Sequence, residues 1–174
     1  MKKPLMRTDH SKAGLVGMVN YLDTQISVNR STLLEIGSYD GISAKIFAEK
    51  FESVHCIDPW DDSVECILDY PMNLIYQDFL KIEKEMGNIT HDRTISEEYA
   101  KKSPNYDVIY IDGMHNYDSV QRDIKLYIDR ANFFLCGHDY HPKKFPGVCQ
   151  AVDEFAKKIV TFPDTSWIIL ERKL

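Results

Sequence analysis

Short apolar runs alternate along the chain with stretches in which apolar residues recur at helical spacing. The first run, at residues 32–36, is closed by Gly37, and a helical pattern opens at Ile42. A second run, at residues 54–58, ends at Pro59, which cannot continue a central ladder. Such alternation is typical of β-α-β units and argues against an all-helical or all-β chain.

The same alternation continues toward the carboxyl terminus. Residues 106–112 are almost continuously apolar, as expected for a parallel strand covered on both faces. A helical pattern containing Val120 follows, and residues 133–137 predict the next strand. The other predicted elements are a strand at 88–95, a short helix opening at Ser96, a helix after Pro146 whose apolar stripe runs to Ile159, and closing strands at 159–162 and 167–170.

These elements predict one α/β domain over residues 1–174, with a Rossmann-like fold. We expect a mostly parallel, twisted sheet of about seven strands, with helices on both faces and an antiparallel closing strand. Residues 61–87 predict a mostly helical insertion, and residues 1–30 predict a helical segment that caps a pocket or forms a dimer surface. The second prediction depends on four apolar residues at helical spacing, Leu15, Met18, Val19 and Leu22.

Charge and cysteine content limit the classes of partner. The chain has 27 acidic residues against 21 lysines and arginines, a formal net charge of −6, and no long basic run. It therefore lacks the positive surface that nucleic acids and anionic membranes require. We find neither a signal peptide pattern nor an 18-residue apolar run. The four cysteines lie far apart without a C-x-x-C pair, which favours reduced thiols and a cytoplasmic protein.

Polar and titratable residues gather where four of the predicted strands end. They occupy residues 37–41, Asp58, residues 112–115 and residues 137–141. In an open parallel α/β sheet, ligands bind outside the carboxyl ends of the strands. These four positions are therefore the predicted ligand-binding edge.

The first two of these positions suit a nucleoside that carries no diphosphate. Gly37 and Gly41 leave the backbone open to a ligand, but Tyr39 stands where a dinucleotide-binding loop has its central glycine. Asp58 lies about 20 residues further on, where an acid can accept both hydroxyls of a ribose. A nicotinamide-linked oxidoreductase is therefore the weaker interpretation of this pattern.

Several stretches at these strand ends resemble the class I S-adenosylmethionine-dependent methyltransferases, and most closely the branch with metal-dependent sugar and antibiotic O-methyltransferases. The resemblance lies in Leu-Glu-Ile-Gly-Ser-Tyr-Asp-Gly at 34–41, Cys-Ile-Asp-Pro-Trp at 56–60, Tyr-Ile-Asp-Gly-Met-His-Asn-Tyr at 110–117, Gly-His-Asp-Tyr at 137–140 and the segment 146–155. It runs in order over roughly residues 31–172, and it implies S-adenosylmethionine as the cofactor.

The resemblance also implies roles for individual residues. Asp112, His138 and Asp139 match the positions that bind a divalent metal, Mg²⁺ or Mn²⁺, and His115 matches the general base. His138 stands where the family usually has a carboxylate, and imidazole suits manganese, iron or zinc better than magnesium. The implied cofactor contacts are Glu35, Gly37, Ser38, Tyr39, Gly41, Asp58, Ser96, Glu97 and Asp112.

We therefore expect methyl transfer to a hydroxyl of a small molecule or sugar. A sulfonium methyl is already activated, so the protein must align the acceptor and remove its proton. One alternative is a cofactor-binding partner protein that keeps the fold without catalysis, which the His138 substitution supports. Another is a metal-dependent hydrolase that uses Asp112, His115, His138, Asp139 and His141, although it leaves Asp58 without a role.

Overall fold

The computed structural model describes residues 8–63 and 70–173. Within them, the strands are β1 (Thr32–Ile36), β2 (Ser53–Asp58), β3 (Ile89–Arg93), β4 (Tyr106–Ile111), β5 (Ala131–Gly137), β6 (Ala156–Thr161) and β7 (Trp167–Arg172). The helices are α1 (Asp9–Gln25), α2 (Ile42–Ala48), α3 (Met72–Met86), α4 (Ser96–Ala100), α5 (Tyr117–Tyr127) and α6 (Pro146–Phe155), and a short 3-10 turn at Val28–Arg30 precedes β1.

The seven strands form one sheet in the order β3-β2-β1-β4-β5-β7-β6. The first five are parallel to one another, whereas β7 runs antiparallel to both β5 and β6. This confirms the predicted Rossmann-like α/β fold with its antiparallel closing strand. The strand order reverses between β1 and β4, and such a switch point is where doubly wound sheets bind their ligands.

Two layers of helices bury the sheet. One core cluster lies between the sheet and helices α1, α2 and α3, and a second lies on the side of α4, α5 and α6. In α1 the apolar residues Leu15, Met18, Val19 and Leu22 are fully buried in the first cluster, so this stripe is covered within the chain itself. Within the 61–87 segment, α3 contributes Ile75 and Phe79 to the same cluster, while residues 64–69 lie outside the described residues.

Screening the described residues for a helix both long enough and apolar enough to cross a bilayer gives no candidate.

Glycines at the ends of β1 and β5 let the loop after β4 lie between them. Gly37 has a φ of +86°, and a Cβ on it would overlap the carbonyl oxygen of Asp112. A Cβ on Gly137 would lie 2.5 Å from both the carbonyl oxygen of Ile111 and the ring of Trp167. The backbone N–H of Asp112 donates to the carbonyl of Ile36 at 2.8 Å, which joins the β1 and β4 loops directly.

Replacing Gly37 by alanine should destabilise the protein, because the new Cβ meets backbone that cannot move aside and φ is positive. We expect Gly37→Ala to lower the free energy of unfolding by at least about 2 kcal/mol. Gly17→Ala is the matched control, since its Cβ would meet nothing within 4 Å in the middle of α1. The control should raise stability by about 0.5–1 kcal/mol. Urea unfolding of both variants checks this, and equal stabilities would contradict it.

Candidate active site

Asp58, the last residue of β2, organises the first wall of the site. Its side chain is buried, and its two carboxylate oxygens accept the backbone N–H groups of Tyr39 at 3.0 Å and Trp60 at 2.8 Å. Burial raises the pKa of Asp58, and the hydrogen bonds from these N–H groups oppose that shift. Tyr39 and Trp60 both have a positive φ, and the indole N–H of Trp60 donates to the carbonyl of Tyr39 at 2.7 Å. The carboxylate therefore fixes two strained loops against each other.

A cleft opens beside Asp58 at the carboxyl ends of the strands. Four of the predicted cofactor residues line it, namely Gly37, Asp58, Ser96 and Glu97. The other lining residues are Ile36, Ile57, Pro59, Thr94, Ile95, Gly113, Met114, Arg122 and Asp123. The lining thus combines apolar residues with a small number of polar groups, which is the usual composition of a small-molecule site.

The other predicted contacts from the loop after β1 are not among the residues that line this cleft. Glu35 is fully buried beneath the loop, where the thiol of Cys56 donates to its Oε2 at 3.5 Å. Ser38 is also buried, and Gly41, the N-cap residue before α2, has a φ of +83°. Like Tyr39, these residues belong to β1 and the loop that follows it and do not line the cleft. Their direct contact with a cofactor stays a prediction.

Helix α5 fixes the opposite wall. The hydroxyl of Ser96 donates to Asp123 at 2.5 Å, and the hydroxyl of Tyr127 donates to the Ser96 carbonyl at 2.7 Å. Glu97 forms an ion pair with Arg122 at 2.7 Å. Burial raises the pKa of Asp123 to about 6. The segment that opens α4 is therefore held in place by three side chains of one helix.

Asp123 and Arg122 were not among the residues singled out from the sequence. The signal was present, because Asp123 lies between Val120 and Ile124 on the apolar side of the helical pattern. An acid on a face that is otherwise buried needs a partner or a function. No pattern in the sequence marks Arg122 as a site residue. Its role becomes visible only in the structure, which places it beside Glu97.

A second, smaller cavity adjoins the cleft and shares Gly113 and Met114 with it. It contains three of the predicted reaction residues, Asp112, His115 and His138. Its remaining lining residues are Ile111, Val120, Val148 and Trp167. The cofactor edge and the reaction edge predicted from the sequence are therefore neighbours in the fold.

Asp139 connects the two histidines of this cavity. Its Oδ2 lies 2.8 Å from Nε2 of His115, and its Oδ1 lies 3.1 Å from Nδ1 of His138. The same Nδ1 lies 3.7 Å from Oδ1 of Asp112. Asp112, His138 and Asp139 each offer a ligand atom, and these atoms all lie within 4.8 Å of one another. The structure therefore brings the three predicted metal ligands together.

Coupling between these groups shifts their pKa values. Burial favours the neutral acid of Asp139, but the hydrogen bonds from His115 and His138 outweigh it and hold the pKa of Asp139 well below its usual range. Burial also favours the neutral ring of His115, but Asp139 and Asp112 outweigh it and raise the pKa of His115. Both shifts favour a charged pair.

His141 does not join this cluster. Its Nδ1 accepts hydrogen bonds from the backbone N–H groups of Lys143 and Lys144, each at 3.3 Å. The ring therefore stabilises the turn that contains it. The metal-dependent hydrolase interpretation used His141 together with Asp112, His115, His138 and Asp139, and the structure does not bring His141 into the three-residue group. Within residues 8–63 and 70–173, the three-residue group described above is the one that could hold a metal.

The pair of His115 and Asp139 should give the metal-free protein a pH-dependent stability. Because the pKa of His115 is raised in the folded state, its stabilisation is complete below the ordinary histidine value of about 6.5. It is lost as the pH rises through the raised folded value. In EDTA, His115→Gln should therefore lower Tm most at acidic pH and least at alkaline pH, with His141→Gln as the control. A Tm difference that stays constant between about pH 5 and pH 9 would rule this out.

Comparison with known proteins identifies the family of this chain. The family model described as a methyltransferase domain matches residues 34–140, which is more than half of the chain. No curated protein sequence matches the chain.

Solved structures of low sequence identity share the fold. Ribosomal protein L11 methylase from Lactobacillus delbrueckii subsp. bulgaricus is 16% identical with a TM-score of 0.62, covering 97% of this chain and 81% of the other. Precorrin-6y C5,15-methyltransferase from Geobacter metallireducens is 10% identical with a TM-score of 0.67, covering 97% and 90%. N-methyltransferase NodS from Bradyrhizobium japonicum is 12% identical with a TM-score of 0.61, covering 94% and 96%.

The matched segment runs from β1 to the end of β5 and includes every predicted site residue from Glu35 to Asp139. The chain therefore belongs to the methyltransferase-domain family and is a class I S-adenosylmethionine-dependent methyltransferase.

Proposed function

We propose that this methyltransferase transfers the methyl group of S-adenosylmethionine to a hydroxyl of a small molecule or sugar. The observation that carries the proposal is the pair of His115 and Asp139 beside the cofactor cleft. An alcohol keeps its proton near neutral pH, so attack on a sulfonium methyl needs a general base. A neutral amine attacks through its free electron pair and has less need of a base. The histidine–carboxylate pair therefore favours an oxygen acceptor.

The geometry of His115 suits a proton acceptor. Asp139 binds its Nε2, while Nδ1 has no hydrogen-bond partner among the described residues and the side chain is 32% exposed. In the proposed reaction Nδ1 takes the proton of the acceptor hydroxyl. The adjacent carboxylate of Asp139 then stabilises the imidazolium that forms, as in other histidine–carboxylate pairs.

Asp112, His138 and Asp139 have a donor set that fits a divalent cation. Two carboxylate oxygens and one imidazole nitrogen suit Mn²⁺, and similar borderline ions, better than Mg²⁺. A cation held there would supply positive charge that lowers the pKa of the acceptor hydroxyl. The three side chains orient the acceptor toward His115, and Asp112 also places negative charge near the sulfonium.

The cofactor is proposed to lie along the cleft between Asp58 and the Ser96–Glu97 segment. Asp58 keeps lone pairs for the ribose hydroxyls after accepting its two backbone N–H groups. Ser96 and Glu97 would border the adenine, and Asp112 would stand near the methyl-bearing sulfur. The methionine part is assigned to the loop residues Glu35, Gly37, Ser38, Tyr39 and Gly41.

The domain, the acceptor pocket and the class of acceptor are also part of the proposed function. We assign residues 1–174 to one cytoplasmic domain, and we expect segment 61–87 or a second copy of the chain to complete the acceptor pocket. The net charge of −6 favours a small acceptor over nucleic acid or a membrane. A cap or dimer role for residues 1–30 stays a prediction, but the apolar residues of α1 that suggested it are buried in the chain's own core and are not available to a partner.

Calorimetric titration with S-adenosylhomocysteine tests the cofactor assignment. Asp58→Asn removes the acceptor charge, and we expect at least about 10-fold weaker binding, because each lost hydrogen bond to a charged group is worth about 1.5–3 kcal/mol. Asp61→Asn is the control, because the carboxylate of Asp61 accepts hydrogen bonds from Ser63 in an exposed turn. Wild-type protein that fails to bind, or binding that survives Asp58→Asn unchanged, would contradict the assignment.

Methyl transfer to a panel of hydroxyl acceptors tests the role of His115. His115→Gln should lower kcat by about 10²- to 10⁴-fold, while leaving the affinity for S-adenosylhomocysteine unchanged. His141→Gln should leave both quantities unchanged. Transfer that is insensitive to His115→Gln, or transfer to amines alone, would refute the hydroxyl assignment. Absence of any transfer despite tight cofactor binding would favour the non-catalytic binding protein.

A further inference from the structure

An arginine of the edge strand β3 holds the loop that follows β2. Arg93 is the last residue of β3, and its register partner in the sheet is Asp58. Its Nε donates to the carbonyl of Pro59 at 3.0 Å, and its Nη2 donates to the carbonyl of Trp60 at 2.5 Å. One guanidinium therefore binds two successive carbonyls of the loop.

The ring of Tyr76, on helix α3, lies against this guanidinium. The Cζ of Arg93 is 5.2 Å from the ring centroid, which is within the range of a cation–π contact. The hydroxyl of Tyr76 forms a hydrogen bond with Nε2 of His91 at 2.8 Å, and Nδ1 of His91 lies 2.6 Å from Oε1 of Glu83. Side chains of α3 and β3 therefore restrict the arginine to the position from which it reaches the loop.

A single peptide group lies between the guanidinium and the carboxylate of Asp58. The N–H of the peptide that joins Pro59 to Trp60 donates to Oδ1 of Asp58 at 2.8 Å, and the C=O of the same peptide accepts from Arg93. A negative acceptor at the N–H end and a positive donor at the C=O end polarise the peptide in the same direction. Each hydrogen bond therefore strengthens the other.

This indirect contact leaves the carboxylate open to a ligand. A guanidinium that bound Asp58 itself would occupy both carboxylate oxygens, because arginine and carboxylate groups commonly pair in a bidentate way. Burial raises the pKa of Asp58, while the backbone N–H groups and the positive charge of Arg93 oppose that rise. The charge of the arginine thus acts on the acid from a place where it does not compete with a ribose.

Other charged groups surround this arrangement. Glu97 is paired with Arg122, which leaves Arg93 as the cation that is hydrogen-bonded to the loop after Asp58. The remaining charged or titratable groups on the neighbouring elements are Asp40 in the loop after β1, Asp61 in the loop after β2, Glu83 and His91 beside Tyr76, and Asp123 in the cleft.

We propose that Arg93 is a positioning residue for the cofactor site. By holding the carbonyls of Pro59 and Trp60, it keeps the Trp60 N–H directed at Asp58 and keeps Asp58 ionised. The remaining lone pairs of the carboxylate can then accept hydroxyl groups of a ligand. The ligand part rests on the proposed function, in which these hydroxyls belong to the ribose of S-adenosylmethionine, whereas the effect on the charge of Asp58 does not.

Calorimetric titration with S-adenosylhomocysteine between about pH 5 and pH 8 tests the role in binding. The affinity should fall as Asp58 is protonated, and Arg93→Gln should move the midpoint of this fall to higher pH by at least about 0.5. Arg93→Lys keeps the charge but not the forked geometry, so it should move the midpoint less. Arg172→Gln is the control and should leave the midpoint unchanged, since Arg172 also binds a carbonyl, that of Ala131, but where β5 begins.

An Asp58→Asn background separates Asp58 from the other acids of the cleft. In that chain Arg93→Gln should leave the pH dependence of binding unchanged, because the group whose charge it supports is gone. Equal midpoints in the wild type and Arg93→Gln, with an affinity that is lower by the same factor at every pH, would show a merely structural role and overturn the proposal. An equal shift in the Asp58→Asn chain would overturn it as well.

Carboxyl ¹³C NMR of the ligand-free protein tests the charge of Asp58 directly. We expect Arg93→Gln to raise the pKa of Asp58 by at least about 0.5, and Arg172→Gln to leave it unchanged. An unchanged pKa in Arg93→Gln overturns the proposal, and if that variant does not fold, an unchanged pKa in Arg93→Lys does so. If the wild type binds no S-adenosylhomocysteine at any pH, the cofactor assignment fails, and the NMR result still decides the role of Arg93.

Discussion

The site depends on how closely the ends of β1, β4 and β5 approach one another. A side chain on Gly37 would collide with the backbone of Asp112, and a side chain on Gly137 would collide with the backbone of Ile111. The loop after β4 can therefore lie between the other two loops. Because that loop supplies Gly113 and Met114 to both cavities, the close approach joins the cofactor cleft to the reaction cavity.

Two buried carboxylates, Asp58 and Asp139, have different roles at this edge of the sheet. Asp58 is surrounded by backbone N–H dipoles and acts on neutral partners, which suits the hydroxyls of a ribose. Asp139 is held between two imidazoles, and its charge makes His115 a stronger base than a histidine in water. Asp58 ends β2 and Asp139 lies two residues beyond the end of β5, so both stand at the carboxyl edge of the sheet, but different neighbours give them different chemistry.

The sequence was sufficient to predict the sheet and the strand ends, because apolar runs followed by glycine or proline are local signals. It was less reliable where pairing across the sheet decides the structure. Ile159 continues the helical spacing of α6, but it pairs with Ile169 in β6 and β7, and the helix ends at Phe155. The direction in which a loop side chain points could not be predicted from the sequence either. His141 follows the same strand as His138 but turns to its own loop, and Asp164 reaches the site from a distant hairpin.

The central claim is that the cofactor cleft presents a methyl group to a hydroxyl held beside His115. The most direct measurement is a crystal structure with S-adenosylhomocysteine and Mn²⁺ bound. Our account predicts ribose hydroxyls within hydrogen-bond distance of Asp58, the sulfur directed at the cavity of His115, and the metal on Asp112, His138 and Asp139. A sulfur directed away from His115, or a cofactor bound outside the cleft, would contradict it.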